Sequence, residues 1–459
     1  MEKYDVAIIG GGIGGLMTAY GLLQKKDLKI VILEKGDHLL ERKCPIVEKS
    51  VERCANCKTC SIMNGLAGAG AFSDGKFIIS TEYGGRLHEF IGEEHAQNYM
   101  QEVDSILMKF GAPSETFTPN DFLVELCQKN GLLIKKGTVK HFGTENNLRI
   151  MNALITWIEQ HCTILTHCTV TEVDPDSHLV YTEPSSELIF AEHIVFAVGR
   201  SGVKFFSAWC DRHSVQTFNH NVDLGVRVEL KSEIWSNISA IAYDPKISYV
   251  SEFYKDETRV FCFNDGGHVV VENTFGSKTV NGHAYQDPNK KSENSNFALL
   301  TSIKLTEPFN NPIEYINLIA DSVNYVSGGT VIVQRFGDLT AGCRTTKEKL
   351  SQSSVKPTLA VAYPGDLSLC MPKRQLDSII ETIYKLDKIA PGTANNDTLL
   401  YGVEGKYYSS IPLINDFEIG GCLKIYACGD GSGITRSLAQ AGANGLYISD
   451  KILASIETL

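Results

Sequence analysis

A cluster of glycines at residues 10–15, Gly-Gly-Gly-Ile-Gly-Gly, constrains the fold of this chain more than any other feature. It follows a short apolar run and precedes a segment whose apolar residues recur at helical spacing. In a G-x-G-x-x-G turn, Gly10 allows the tight bend, Gly12 lets the backbone approach a pyrophosphate, and Gly15 lets helix and strand pack closely. The cluster therefore predicts a strand–turn–helix that binds a dinucleotide.

Glu34 is the acidic residue that such a site needs, because it lies nineteen positions after Gly15 at the end of a second apolar run. A run without polar alternation is typical of a buried parallel strand. The Glu34 carboxylate can accept hydrogen bonds from the hydroxyls of an adenosine ribose, and it would repel a 2′-phosphate. The helix that starts at the glycines offers N–H groups to the pyrophosphate.

A second glycine-rich turn, Gly-Asp-Gly-Ser-Gly at residues 429–433, follows a strand near the C-terminus and leads into a helix. In this setting Asp430 can accept a hydrogen bond from a ribitol hydroxyl, and the helix start can stabilise negative charge on a reduced flavin. Pairing this turn with the N-terminal one favours FAD over NAD. The alternative is a simple corner in which Asp430 caps the helix.

At these residues the chain resembles the glutathione-reductase-type FAD superfamily and, more closely, a poorly characterised family of FAD-dependent dehydrogenases. Further matching segments are residues 68–76, 197–200, 225–229, 280–282, 292–300 and 402–404. The resemblance implies noncovalent FAD in a Rossmann-type domain. The FAD-contacting residues that it implies are Gly10, Gly12, Gly15, Glu34, Lys35, Gly70, Ser73, Asp74, Gly75, Val170, Ala197, Gly199, Gly429, Asp430, Gly433 and Ile434.

The chain departs from the family pattern in two places. Residues 405–409 read Gly-Lys-Tyr-Tyr-Ser, where relatives commonly have a Thr-Arg-Thr-Ser-like stretch. Residues 430–434 read Asp-Gly-Ser-Gly-Ile, where many relatives have Glu-Gly-Ala-Gly-Tyr. The resemblance therefore defines the cofactor better than it defines the substrate.

The strand pattern changes along the chain from buried apolar runs to alternating strands separated by polar loops. We therefore predict an α/β fold in which a Rossmann-type FAD-binding domain, discontinuous in sequence, carries an inserted β-rich α+β substrate domain. The predicted domains are residues 1–215 and 395–459 for FAD binding and residues 216–394 for substrate binding.

The catalytic candidates are Lys76, Arg227 and Glu404. Lys76 ends a glycine-rich loop, so it can stabilise reduced flavin or bind an anionic substrate, or it can be a solvated loop lysine. Arg227 and Glu229 alternate on one strand and share a face, where Arg227 can bind a substrate carboxylate or form a structural ion pair. Weaker candidates are Arg436, Tyr407, Tyr408, His268 and His283.

Four of the thirteen cysteines, Cys44, Cys54, Cys57 and Cys60, lie within seventeen residues of one another. The C-x2-C-x2-C spacing of the last three is that of ferredoxin-type 4Fe–4S sites, and Cys44 is the natural fourth ligand. Zinc is an alternative, since four thiolates also make a tetrahedral site. The other alternative is a set of metal-free thiols beside the flavin.

The net charge of −11 argues against a nucleic-acid partner. No run of about 18 apolar residues is present, so we expect no membrane span, and the chain start lacks the pattern of a signal peptide, which favours a cytoplasmic protein. We expect an FAD-dependent dehydrogenase or reductase acting on a small organic substrate. The alternatives are a flavin monooxygenase and a flavin-containing redox carrier that serves a protein partner. The electron donor and oligomeric state are open.

Overall fold

The computed structural model divides the chain into two compact units, each discontinuous in sequence. The first comprises Met1–Thr116, Lys140–Phe218 and Ser409–Leu459, and the second Phe117–Val139 and Asn219–Tyr408. The described residues are 2–45, 48, 57–73, 75–185, 188–219, 221–274, 276–285, 287–306, 308, 311–406 and 409–457. Residues 117–139 and 395–408, which the sequence-based boundaries assign to the FAD-binding domain, thus pack in the second unit.

The strands, in chain order, are β1 (Glu2–Ile9), β2 (Ile30–Leu33), β3 (Lys76–Ile79), β4 (Leu133–Lys135), β5 (Thr138–His141), β6 (Thr163–Leu165), β7 (Thr169–Asp174), β8 (Leu179–Glu183), β9 (Leu188–Phe196), β10 (Thr217–Phe218), β11 (Val222–Lys231), β12 (Lys246–Val250), β13 (Glu257–Asn264), β14 (His268–Thr274), β15 (Ser277–His283), β16 (Asn294–Ile303), β17 (Ile332–Arg335), β18 (Tyr363–Pro364), β19 (Leu399–Lys406), β20 (Ile411–Pro412), β21 (Ile414–Asn415), β22 (Glu418–Ile419) and β23 (Ile425–Ala427).

The α-helices are α1 (Ile13–Lys25), α2 (Leu87–Ile91), α3 (Glu93–Lys109), α4 (Asp121–Lys129), α5 (Thr144–Glu159), α6 (Val203–Arg212), α7 (Ser236–Ser239), α8 (Pro312–Val326), α9 (Phe336–Thr340), α10 (Lys347–Gln352), α11 (Lys373–Leu386) and α12 (Leu438–Glu457). Within the described ranges, no helix combines the length and apolar character that crossing a membrane requires.

The first unit is built on a sheet with the strand order β21-β22-β23-β9-β1-β2-β6. The central strands β6, β2, β1, β9 and β23 run parallel to one another. β2 is buried along its whole length, as expected for an apolar strand covered on both faces. β1 and β23 come from opposite ends of the chain and both pair with β9. The parallel sheet confirms the predicted Rossmann-type domain.

Helices α1 and α12 pack against each other in this unit with almost no space between their backbones. A Cβ atom at Gly445 would lie 2.2 Å from the carbonyl oxygen of Gly14, and one at Gly21 would lie 2.2 Å from the Ser449 hydroxyl oxygen. A side chain at position 445 would collide with the backbone of the other helix and push the helices apart, and one at position 21 would displace the Ser449 side chain. The last helix of the chain is therefore held beside the first.

The second unit contains a separate sheet with the strand order β18-β17-β19-β11-β16-β13-β12-β4. Its neighbours are antiparallel apart from β17 and β18. Helices α8 and α11 share one apolar core with alternate residues of β11. The hairpin β14–β15 packs with residues of β17 and β19 in a smaller core. This independent, largely antiparallel sheet confirms the predicted β-rich domain.

A buried histidine in the first sheet makes the stability of this unit depend on pH. His193 on β9 is 1% exposed and stacks on Tyr426 with ring centroids 6.0 Å apart. Burial, together with the charge of Lys424, lowers the pKa of His193 to about 4. The folded chain therefore holds a neutral imidazole over a range in which the unfolded chain, with a pKa near 6.5, binds a proton.

We expect the free energy of unfolding of the first unit to fall by about 2 kcal/mol between pH 7 and pH 5 through this group alone. The substitution His193→Phe should remove that part of the pH dependence, while His161→Phe, at an exposed position, should leave it unchanged. Urea unfolding followed by circular dichroism at both pH values measures the effect. An undiminished pH dependence in His193→Phe would show that another group is responsible.

Candidate functional site

The glycine turn at residues 10–15 has the geometry of an anion-binding helix start. Gly10 has φ +110°, and a Cβ atom there would lie 2.4 Å from the carbonyl oxygen of Ala197. A Cβ atom at Gly15 would lie 2.2 Å from the carbonyl oxygen of Gly10. Gly12, in contrast, faces open space with no atom within 4 Å of its Cβ position. Helix α1 then begins without a side-chain cap or an acidic first turn, so it can receive an anion.

Glu34 directly follows β2 and lies beside this turn, where backbone donors hold its carboxylate in place. The carboxylate accepts N–H groups from Gly11 at 2.9 Å, from Gly36 at 2.9 Å and from Gly65 at 3.0 Å. It is buried, and its oxygens keep lone pairs that can accept ribose hydroxyls. Next to it, the Lys35 ammonium donates to the carbonyl oxygen of Ser201 at 3.3 Å, and burial lowers the pKa of Lys35.

The site has three walls: the glycine turn at residues 10–15, Glu34, and the loop at residues 65–73. The Ala67 N–H donates to the carbonyl oxygen of Gly11 at 2.8 Å, and a Cβ atom at Gly68 would lie 3.3 Å from the Cα atom of Gly12. The Ser73 hydroxyl donates to the carbonyl oxygen of Gly70 at 2.7 Å. The loop backbone therefore lies directly against the glycine turn.

The far end of this wall is anchored by a side chain that the sequence analysis did not single out. The Asn147 amide donates to the carbonyl oxygens of Gly70 and Ala71 at 2.8 and 3.1 Å. At Gly75, which has φ +66°, a Cβ atom would lie 2.7 Å from the Cβ atom of Phe142. Lys76 follows at the start of β3 and is partly exposed. Asp74, another predicted contact, lies outside the described residues.

The C-terminal turn lies beside the segment that precedes Gly199. A Cβ atom at Gly431 would lie 2.4 Å from the carbonyl oxygen of Val198. The Gly429 N–H donates to the Asn444 side chain at 2.8 Å, and the carboxylate of Asp430 accepts the Thr435 hydroxyl at 2.9 Å. Gly429 and Gly433 both have positive φ values, +78° and +74°, so the turn depends on glycine.

The carboxylate of Asp430 is largely enclosed. Its desolvation raises the pKa of Asp430, against the opposing effects of Arg200, Thr435 and Arg436.

The remaining cofactor candidates lie in the same unit: Ile434 is buried after the turn, and Val170 is buried on β7. The segment just before Val170 contacts Glu34: the Cys168 N–H donates to the Glu34 carbonyl oxygen at 2.9 Å.

Arg227 and Glu404, both catalytic candidates, are buried against each other in the second unit. Two Arg227–Glu404 contacts measure 3.2 Å, and Arg227 also donates to Asn296 at 2.9 Å and to the carbonyl oxygen of Cys262 at 3.0 Å. Burial raises the pKa of Glu404, although Arg227 opposes this shift. With Arg227 fully buried, the geometry favours the structural ion pair over a substrate clamp.

Glu229 is likewise buried, and its carboxylate accepts the hydroxyls of Tyr401 and Thr358 and the Asn294 amide. Because its hydrogen-bond partners are neutral groups inside the second unit, Glu229 has a structural role there and does not face solvent as a base would. Tyr407 and Tyr408 lie outside the described residues.

The predicted metal cluster is only partly described. Cys57 is exposed, Cys44 and Cys60 are half-buried, and Cys54 lies outside the described residues. In the portion of the chain that the structure describes, no three His, Cys, Asp or Glu side chains come together as a metal site would require. The iron–sulfur and zinc alternatives therefore stay predictions.

Two amide side chains of α12 were also missed by the sequence analysis. Besides Asn444, Gln440 accepts the Leu87 N–H at 3.2 Å and donates to the carbonyl oxygens of Ser80 and Tyr83 at 3.1 and 3.3 Å. Both side chains are buried. Their position on the apolar face of a helix that follows a glycine turn is the signal that could have identified them, because buried amides need partners.

Two family profiles match the chain in adjacent segments. Residues 4–209 match the pyridine nucleotide-disulphide oxidoreductase profile, and residues 222–407 match a profile described as FAD-dependent protein, C-terminal domain-like. These matches identify the chain as an FAD-dependent oxidoreductase. This assignment confirms the predicted cofactor FAD and the predicted class of enzyme.

Individual proteins and solved structures are similar to this oxidoreductase at low sequence identity. A Clostridium beijerinckii protein described as uncharacterized is 24% identical over 477 residues, covering 99% of this chain and 82% of its own length. The glycine oxidase structure from Geobacillus kaustophilus has a TM-score of 0.42 at 10% identity and covers 99% of this chain and 95% of its own. A probable FAD-dependent monooxygenase from Pseudomonas aeruginosa has a TM-score of 0.38 at 11% identity and covers 99% and 87%.

We expect Glu34→Gln to raise the dissociation constant for FAD about 10-fold or more, because a lost hydrogen bond to a charged group costs roughly 1.5–3 kcal/mol. The exposed Glu41 provides a matched control, and Glu41→Gln should leave binding unchanged. Titration of apoprotein with FAD, followed by flavin fluorescence, measures both. Equal affinity in wild type and Glu34→Gln would exclude Glu34 as the ribose ligand.

Proposed function

We propose that this oxidoreductase is a dehydrogenase or reductase that acts on a small organic substrate through noncovalent FAD held in its first unit. One observation carries the proposal. The turn at residues 10–15, the Glu34 carboxylate and the loop at residues 65–68 contact one another around the open side of Gly12. The C-terminal turn belongs to the same unit and is held by its own contacts.

Each of these elements matches one part of FAD. The start of α1 fits the pyrophosphate, since it is uncapped and Gly12 leaves room for close approach. Glu34 fits the adenosine ribose, and Asp430 fits a ribitol hydroxyl. The buried sulfur of Cys428 stands 3.0 Å from the Cβ position of Gly14, which supports a tight junction between the two turns.

FAD supplies hydride or single-electron transfer, and the chain supplies orientation and charge. Asp430 would accept a hydrogen bond from a ribitol hydroxyl, and the Thr435 hydroxyl orients its carboxylate. Lys76 is proposed to attract an anionic group of the substrate, because it follows directly on the loop wall. NAD(P)H, if it is the donor, would bind transiently, since the sequence carries one dinucleotide fingerprint.

We expect the purified protein to be yellow and to release one FAD per chain on denaturation. Without oxygen, the substrate of a dehydrogenase should bleach the flavin absorption, and the substrate of a reductase should restore the absorption of flavin that dithionite has reduced beforehand. Reduction only by a protein donor would favour the redox carrier, and an oxygen-dependent hydroxylation would favour the monooxygenase. Recovery of stoichiometric NAD, or of no nucleotide in several preparations, would contradict FAD binding.

We further propose that Cys44, Cys54, Cys57 and Cys60 bind a 4Fe–4S cluster, on the strength of their spacing. Anaerobically purified protein should then contain about four iron and four sulfide per chain, and Cys57→Ser should lose most of both. The exposed Cys343 offers a control, because Cys343→Ser should keep the full complement. Stoichiometric zinc, or substoichiometric metal with a titratable dithiol, would exclude the cluster.

A further inference from the structure

A single buried arginine organises the loop that forms the third wall of the site. Arg42 is 5% exposed, and within the described part of the chain its guanidinium donates four hydrogen bonds, all to backbone carbonyl oxygens. Its Nε donates to Ser61, its Nη1 to Leu66 and Gly68, and its Nη2 to Ile62, each at 2.8 Å. The planar guanidinium thus ties both ends of an eight-residue segment to one point.

The segment that Arg42 holds, residues 61–68, makes the contacts that close the proposed FAD site. Gly65 donates its N–H to Glu34, and Ala67 donates its N–H to the carbonyl oxygen of Gly11. Gly68 lies against Gly12, where the pyrophosphate is expected. A shift of this segment would therefore change both the ribose side and the pyrophosphate side of the site.

The guanidinium of Arg42 is enclosed by the loop, and its hydrogen bonds to backbone carbonyl oxygens compensate for the cost of burying it. Its carbon atom also lies 4.6 Å from the ring centroid of Phe72, which extends the anchored region beyond Gly68.

We propose that Arg42 is a positioning residue for FAD, which acts by holding residues 61–68 against the glycine turn and Glu34. The inference rests on the proposed function, in which FAD occupies this turn. It assigns to Arg42 a role in cofactor affinity that requires no contact between its side chain and the cofactor. A neutral residue of similar volume would leave four loop carbonyls without their donor.

The test compares Arg42→Met, Arg42→Lys and a stability control, Ile452→Ala, in the core of the same unit. Apoprotein of each is titrated with FAD, its thermal unfolding is recorded, and the visible circular dichroism of bound flavin is compared. We expect Arg42→Met to weaken FAD binding on the order of 100-fold and to change the dichroism, and Arg42→Lys to recover part of both. Ile452→Ala should lower the unfolding temperature but bind FAD within about threefold of wild type.

Wild-type affinity and dichroism in Arg42→Met would overturn the proposal. The proposal would also be overturned if Ile452→Ala and Arg42→Met had the same unfolding temperature and the same loss of FAD affinity, because Arg42 would then act only through folding. If Arg42→Met does not fold, Arg42→Lys decides: unchanged FAD affinity overturns the proposal, and a weakening of about tenfold supports it. Failure of the wild-type apoprotein to bind FAD would instead overturn the proposed function itself.

Discussion

The close approach of helices α1 and α12 is the constraint on which the rest of the first unit depends. Gly14 and Gly445 meet so closely that a Cβ atom on the second would lie 2.2 Å from the backbone oxygen of the first. The strands that precede these helices, β1 and β23, both pair with β9. The two glycine turns that end these strands are then part of one structural unit.

The site built on this framework uses backbone groups more than side chains. The Glu34 carboxylate accepts three backbone N–H groups, and the Arg42 guanidinium donates to four backbone carbonyl oxygens. The buried acidic side chain thus binds the donors of these loops, and the buried basic side chain binds their acceptors. Charges buried in this way are costly unless their hydrogen bonds are made. These hydrogen bonds restrain the conformation of the loops, and a preformed conformation lowers the cost of binding a cofactor.

The second unit uses buried charge differently. Arg227 and Glu404 neutralise each other within the sheet, and Glu229 is satisfied by the hydroxyls of Tyr401 and Thr358 and the amide of Asn294. Such networks specify which strands and hairpins pack together. In sequence they look like a catalytic constellation, since charged residues alternate along one strand. The difference lies in burial, which depends on the hairpin and strands that cover that face.

Much of the nucleotide-binding framework was readable from the sequence because its requirements are local. A tight turn needs glycine at Gly10, close packing needs glycine at Gly15, and a carboxylate at the end of the next strand needs only the right spacing. The α/β class and the change to a β-rich unit were readable for the same reason, since strand periodicity is a local pattern.

Contacts between distant segments decided the rest. Residues 117–139 join the second unit because β4 pairs with β12, and residues 395–408 join it because β19 pairs with β11 and β17. The roles of Arg42, Asn147 and Asn444 follow from the carbonyl and N–H groups that folding brings to them. The sequence by itself thus determined which cofactor the chain is built for. Only the tertiary structure decided which polar side chains are buried and what they hold, because burial and hydrogen-bond partners are set by packing between residues far apart in the chain.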